Sequence, residues 1–288
     1  MEAALSVSPF LLYLRRQTNS SMEFFAISNN IPVHISDSKK GDQTIVLLHG
    51  YLETLYIYSE FSFLLEKKYR VISIDLPGHG LSGSNDDVNT MDFSASVVVD
   101  VLDKCGVEKA FVAGHSMGGY VAQACMENYP ERFKGLILLN SVPFPDSEEK
   151  KADREREISL VQSSMLNRIA EISIPRMYDS ENLRKLDEKI LETIEICETH
   201  DPKGIVACLR GMMQRKDYSD FIKSLKDTPT LFIYGNKDKF NPIERVNAIA
   251  EEFADVEVKI IENTGHNSFI EEPDKCLEIL SAFIEAHA

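Results

Sequence analysis

Six short apolar runs, separated by stretches with helical spacing, constrain this chain more than any other feature of it. Thr44–Leu48, Arg70–Ile74, Lys109–Ala113, Leu136–Leu139, Thr230–Tyr234 and Glu257–Ile261 are mostly apolar rather than alternating. Strands covered on both faces of a parallel sheet read this way. The stretches between them are helical. Leu55–Lys67 follows the first run, and Thr90–Lys104 sets Val97, Val98, Val101 and Leu102 on one stripe with Gly106 as a stop. Val121–Asn128 ends before Pro130, Pro242–Phe253 opens on a helix-starting proline, and Asp274–Ala286 closes the chain. Strand and helix in alternation with short connections predict an α/β fold, a mostly parallel, doubly wound sheet with helices on both faces.

Two segments depart from this rhythm. Glu23–Ile27 and Ile31–Ile35 flank the turn dipeptide Asn29-Asn30, which predicts an antiparallel hairpin at the start of the domain. Between Pro143 and Tyr218 no strand is evident, and the candidate helices are Ser147–Ala170, Ser180–Thr199 and Pro202–Gln214. A structureless connection of that length is unusual in a compact domain, so a helical insertion is expected. The division expected is therefore a core of residues 22–142 and 219–288, a helical cap of 143–218, and an N-terminal extension, 1–21, that packs loosely or is disordered.

Composition excludes more than it assigns. The 288 residues are 43% hydrophobic and 27% charged, as in ordinary globular chains, and the net charge is −15. An acidic surface repels phosphate backbones and anionic lipid, so no nucleic-acid or membrane partner is expected. The apolar run Pro9–Leu14 is too short to span a bilayer. It follows Glu2 and precedes Arg15 and Arg16, the reverse of a secretory signal. The five cysteines are scattered, with no C-x-x-C pair, so free thiols in a reducing, cytoplasmic setting are expected and no metal site.

The chemistry is concentrated in Gly114-His115-Ser116-Met117-Gly118-Gly119, a G-x-S-x-G motif between a strand and a helix. Such a turn is tight enough that a side chain at either flanking glycine would meet backbone. It lifts the serine hydroxyl clear of the sheet at a helix N-terminus, where negative charge is favoured. A serine needs a base, and His266, in the loop after the last run, is the candidate. The base needs a carboxylate, and Asp238 in Gly235-Asn236-Lys237-Asp238 is the candidate. Asp255 precedes its strand, at the wrong end of the sheet, whereas Glu262 shares the His266 loop and stays open as a rival. Donors to an oxyanion are expected from the backbone N–H groups of Met117 and of Tyr51 in His49-Gly50-Tyr51-Leu52-Glu53.

With these pieces in hand, the chain resembles the α/β-hydrolase-fold serine hydrolases of the esterase and C–C hydrolase type. Leu47-Leu48-His49-Gly50, Asp75-Leu76-Pro77-Gly78-His79-Gly80-Leu81-Ser82, Gly114–Gly119, Gly235–Asp238 and Gly265-His266 run in family order. The resemblance implies that Asp75–Ser82 is a structured loop beside the site, that His79 is structural, and that residues 143–218 form a lid. It implies a cofactor-independent reaction on a small-molecule substrate, a small carboxylic ester being the leading expectation. Thioester hydrolysis, C–C bond hydrolysis and a lyase like the menaquinone-pathway synthase of this fold remain alternatives, as does a ligand-binding receptor without turnover. A serine at the elbow argues against the dehalogenase and epoxide hydrolase branches. The missing His-Gly-Gly-Gly run argues against the lipases that use one.

Overall fold

The computed structural model of the protein describes residues 21–85 and 87–288. Apart from Ser21, the expected N-terminal extension lies outside the described residues. The chain opens with β1 (Met22–Ser28) and β2 (Ile31–Asp37), paired antiparallel across Asn29-Asn30, both at positive φ. There follow β3 (Thr44–Leu48), a 3-10 turn at Leu55–Tyr58, α1 (Ser59–Leu65), β4 (Arg70–Ile74) and α2 (Met91–Lys104). Then come β5 (Ala110–His115), α3 (Met117–Asn128) and β6 (Phe133–Leu139). After β6 the chain is helical: α4 (Glu148–Gln162), α5 (Leu166–Ser173), α6 (Asp187–Glu198), α7 (Pro202–Met213) and α8 (Ser219–Ser224). It returns to the sheet with β7 (Thr230–Gly235), α9 (Ile243–Glu252), β8 (Glu257–Ile261), α10 (Ser268–Glu271) and α11 (Pro273–His287).

The eight strands form one sheet in the order β1-β2-β4-β3-β5-β6-β7-β8, parallel from β4 to β8, with the opening hairpin added antiparallel at one edge. Five of the six apolar runs are explained by burial on both sides, whereas the sixth, β8, was expected to be covered but lies at the sheet edge with only Ile261 buried. Val46 and Leu48 join the core packed with α2, α3 and α9, whereas Ile45 and Leu47 join the opposite core packed with α1 and α11. From β3 the chain steps outward to β4 and then back across to β5. The loops after β3 and β5 therefore flank the point where winding reverses, the usual place for a ligand site in such sheets.

The expected helices of the insertion are present with different bounds. The Ser147–Ala170 stretch is two helices, because Ser164 adopts φ +60° after the C-cap at Ser163. The Ser180–Thr199 stretch is helical only from Asp187. Its start is diverted: Asp179 Oδ1 accepts the Glu181 N–H, while Asn182 donates to the Asn263 carbonyl and to Glu271. Pro242 is extended (φ −55°, ψ 151°) and caps α9 instead of opening it as its first residue. No helix among the described residues is long and apolar enough to cross a membrane.

A charged clamp fastens the hairpin to the parallel strands. The Arg70 guanidinium grips Asp37 at 3.0 and 2.7 Å, and Lys39 Nζ lies 2.7 Å from the same carboxylate. Burial alone would lift the Asp37 carboxyl, but Arg70 and Lys39 outweigh it and hold it at about 2. The stabilisation is thus present above the carboxyl's ordinary 3.8 and is lost as pH falls through about 2. Arg70→Met should cost on the order of 2 kcal/mol in urea unfolding at pH 7. The gap to the unmutated protein should narrow at pH 3; an equal gap at both values would exclude the clamp as its cause.

Candidate active site

The site begins with the turn between β5 and α3. Ser116 adopts φ 48° and ψ −113°, a conformation non-glycine residues seldom take. The surrounding backbone leaves no alternative. A Cβ at Gly114 would lie 2.2 Å from the Gly118 carbonyl oxygen, and one at Gly118 would lie 2.1 Å from that of Leu48. Glycine at these positions lets α3 start at Met117, four residues before the expected Val121, and press its first turn against the end of β3. The Ser116 N–H donates to the Leu139 carbonyl at 3.0 Å, and its own carbonyl accepts from Ser141 Oγ at 2.7 Å. Its side chain makes no capping bond to α3.

The sheet brings His266 and Asp238 together. His266 Nδ1 donates to Asp238 Oδ2 at 2.8 Å, and both side chains are almost wholly buried. Asp238 also receives the Phe240 and Asn241 N–H groups on Oδ1, and Asn140 Nδ2 and Asn241 Nδ2 on Oδ2. Burial alone would raise its carboxyl, but the His266 ring and these donors hold it far below the usual carboxylate range. Occupation of Nδ1 leaves Nε2 as the ring nitrogen open to a reacting group. The Phe240 ring lies 4.7 Å from the imidazole. Among the described residues no hydrogen bond joins Ser116 Oγ to His266, and such contacts are often loose before substrate binds.

The rival carboxylates are elsewhere. Glu262 is engaged by Asn236 Nδ2, and Asp255 is exposed in the turn before β8. The two expected donors are open. Among the described residues neither the Tyr51 nor the Met117 amide has a hydrogen-bond acceptor. Leu52, next to Tyr51, is held at φ +65°, and its N–H donates to His79 Nε2 at 3.3 Å. Buried His79 packs its ring against His49, Tyr51 and His200, a structural setting. Among the described residues no cluster of three or more His, Cys, Asp or Glu is placed to hold a metal ion.

Sequence reasoning missed two supports. Asn140, at φ +49° after β6, donates to Asp238 and to the Gly265 carbonyl and accepts from Ser268 Oγ, so it ties the Asp238 loop to the His266 loop. The insertion supplies the other: the Met177 carbonyl accepts the His266 N–H at 2.6 Å and the Asn267 N–H at 3.2 Å. Met177 ends the short 3-10 turn Pro175–Met177 of the insertion. The only sequence signal for Asn140 is its place immediately after a buried strand, on the same sheet edge as Ser116.

A family model for the alpha/beta hydrolase fold matches residues 43–170 and 178–273. The 2-hydroxy-6-oxononadienedioate/2-hydroxy-6-oxononatrienedioate hydrolase of Escherichia coli O139:H28 (strain E24377A / ETEC) is 28% identical over 284 residues, spanning 88% of this chain and 90% of that protein. A thermophilic esterase from Thermogutta terrifontis superimposes with a TM-score of 0.86 at 28% identity, covering 93% of this chain and all of that one. The enol-lactonase of Burkholderia xenovorans LB400 superimposes with a TM-score of 0.82 at 20% identity, over 91% of this chain and all of that one, which bears on the fold alone.

Two glycine substitutions separate steric collision from dihedral strain. Gly118→Ala drives a methyl group into backbone and should cost about 3 kcal/mol or more in urea unfolding. Gly106→Ala, at φ +67° with nothing within 4 Å of the added carbon, should cost about 1 kcal/mol. Equal costs would contradict the close approach at the elbow.

Proposed function

Because the chain belongs to the α/β-hydrolase fold family, we propose that it is a serine hydrolase acting on small carboxylic esters. The observation that carries this reading is the buried His266–Asp238 pair on the same sheet edge as a serine held in a strained elbow. Ser116 Oγ attacks the ester carbonyl while His266 Nε2 takes its proton. Asp238 holds the ring with Nε2 outward and balances the imidazolium charge. The Met117 and Tyr51 N–H groups receive the oxyanion, and the N-terminus of α3 adds a favourable dipole. The tetrahedral adduct collapses as His266 returns the proton to the departing alcohol, leaving an acyl-serine. A water, deprotonated by the same imidazole, then releases the carboxylic acid and regenerates the serine.

The Thermogutta terrifontis esterase supports the ester reading by its likeness over nearly the whole chain. The helical segment 143–218 serves as the cap over residues 22–142 and 219–288. Its contacts with the loops support that role: the Tyr51 hydroxyl donates to Glu157 at 3.0 Å, and Met177 holds the His266 loop. Five free, buried cysteines fit a reducing, cytoplasmic setting. A second reading, hydrolysis of a C–C bond in a dienoic keto acid, is favoured by the name of the Escherichia coli relative.

Ser116→Ala should leave far-UV circular dichroism unchanged and reduce turnover of short p-nitrophenyl esters by about 10³-fold or more. Turnover retained in the purified variant would refute the assignment. Asp238→Asn, which presents the wrong partner to Nδ1, should lose about 10³- to 10⁴-fold in kcat. Faster Ser116-dependent cleavage of a 2-hydroxy-6-oxodienoate than of any ester in a panel would select the second reading.

A further inference from the structure

We propose that Glu53 and His115 form a buried, fully ionised pair that positions the oxyanion loop and the His266 loop relative to Ser116; this rests on the serine-hydrolase reading above. Neither residue touches the reacting atoms, so both are positioning residues. The pair sits beneath the elbow with both side chains shut off from solvent. His115 Nδ1 donates to Glu53 Oε2 at 2.9 Å, and His115 Nε2 donates to the His266 carbonyl oxygen at 2.9 Å. Glu53 Oε2 also accepts the Gly50 N–H at 2.7 Å. One ion pair thereby joins three segments: the loop after β3, the last residue of β5, and the loop after β8.

The donors around the pair argue for the charges. His115 Nε2 faces a carbonyl oxygen, which only accepts, so that nitrogen carries a proton. The remaining proton lies between His115 Nδ1 and Glu53 Oε2: on Nδ1 it makes an ion pair, and on Oε2 it would make a neutral pair with the same contacts. The Gly50 N–H, 2.7 Å from Oε2, favours negative charge on that oxygen and so places the proton on the ring. Burial would push His115 down and Glu53 up, yet their attraction raises the one and lowers the other.

The groups packed around the pair do not supply an alternative partner. From the β3 side come His49, whose Nδ1 donates to the Gly50 carbonyl, and Tyr58, whose hydroxyl donates to the Leu48 carbonyl. The Phe269 ring lies 5.1 Å from the His115 ring and the His266 ring 5.0 Å away. Asp238 is engaged by His266, Asn140 and Asn241. From the insertion, His200 Nε2 donates to the Glu53 backbone carbonyl at 3.3 Å, and Lys189 shares a small cavity with Glu53. A one-residue loss of charge at Glu53 would therefore be felt first by His115, and through it by the His266 backbone.

Glu53→Gln keeps the shape and one acceptor but removes the charge. A single ring proton cannot then serve both Gly50's acceptor and the His266 carbonyl, and the His266 loop shifts. In the folded variant, assayed well below its melting temperature, kcat for p-nitrophenyl acetate should fall about 10- to 100-fold with KM within about threefold. Labelling of Ser116 by a fluorophosphonate should slow in parallel. Nitrogen-15 NMR of the histidine rings should show two protonated nitrogens on His115 in the unmutated protein at neutral pH and one in Glu53→Gln. A kcat within about twofold of the unmutated value in the folded variant would overturn the proposal, as would a singly protonated His115 in the unmutated protein. The ring measurement needs no substrate and no variant. An unmutated protein with doubly protonated His115 and no ester turnover would refute the ester reading and leave the pair standing.

Discussion

The turn at Ser116 is the constraint on which the remainder of the site depends. A serine at φ 48° is held there by backbone on both sides, with Gly118 closing on the Leu48 carbonyl and Gly114 on Gly118. Such strain, of order 1–3 kcal/mol, survives only where the neighbouring structure over-determines it. Here the packed ends of β3, β5 and β6 do so. Because the turn is fixed against β3, the loop carrying Tyr51 is fixed relative to the serine as well. The two open amides therefore belong to one rigid arrangement.

The carboxyl edge of the sheet is densely cross-braced with polar groups, and most of them are buried. Asp238 is surrounded by five donors, Asn140 bridges two loops, and the Glu53–His115 pair bridges three. Buried charges are costly unless paired and hydrogen-bonded. Their concentration beneath one edge is hard to reconcile with stability alone, because apolar residues would pack there at lower cost. The geometry that they enforce is the return. Each loop bearing a proposed reacting group is tied to another loop by at least one charge-assisted contact. Residues of the insertion take part through Met177, Glu157 and His200, so the segment outside the sheet also shapes the site.

Much of the fold was legible because parallel strands buried on both faces leave a plain signature: Thr44–Leu48 and Arg70–Ile74 have the bounds expected, as does the largely exposed edge strand Glu257–Ile261. Ser116, His266 and Asp238 were legible as residue types at particular strand ends, and the contact between the last two is present. What escaped notice depends on convergence across distant parts of the chain. Nothing near Glu53 in sequence announces a partner 62 residues away. Asn140 reads as an ordinary turn former until Asp238 and Ser268 are seen beside it. In the insertion, helix propensity marked Ser180–Thr199 correctly as helical in the main, but tertiary bonds from Asn182 to Asn263 and Glu271 unwound its first turns. The start of α3 was placed too late because Gly118 and Gly119 disfavour helix, a local cost accepted for the close approach.

The central claim is that the hydroxyl of Ser116 is the atom that becomes bonded to substrate. Rapid acid quenching during turnover of p-nitrophenyl acetate, followed by mass spectrometry of the peptide that carries Ser116, tests it directly. The account predicts an acetyl adduct on that serine, formed together with the first burst of nitrophenol. A burst with no adduct there, or an adduct on another residue, would contradict it.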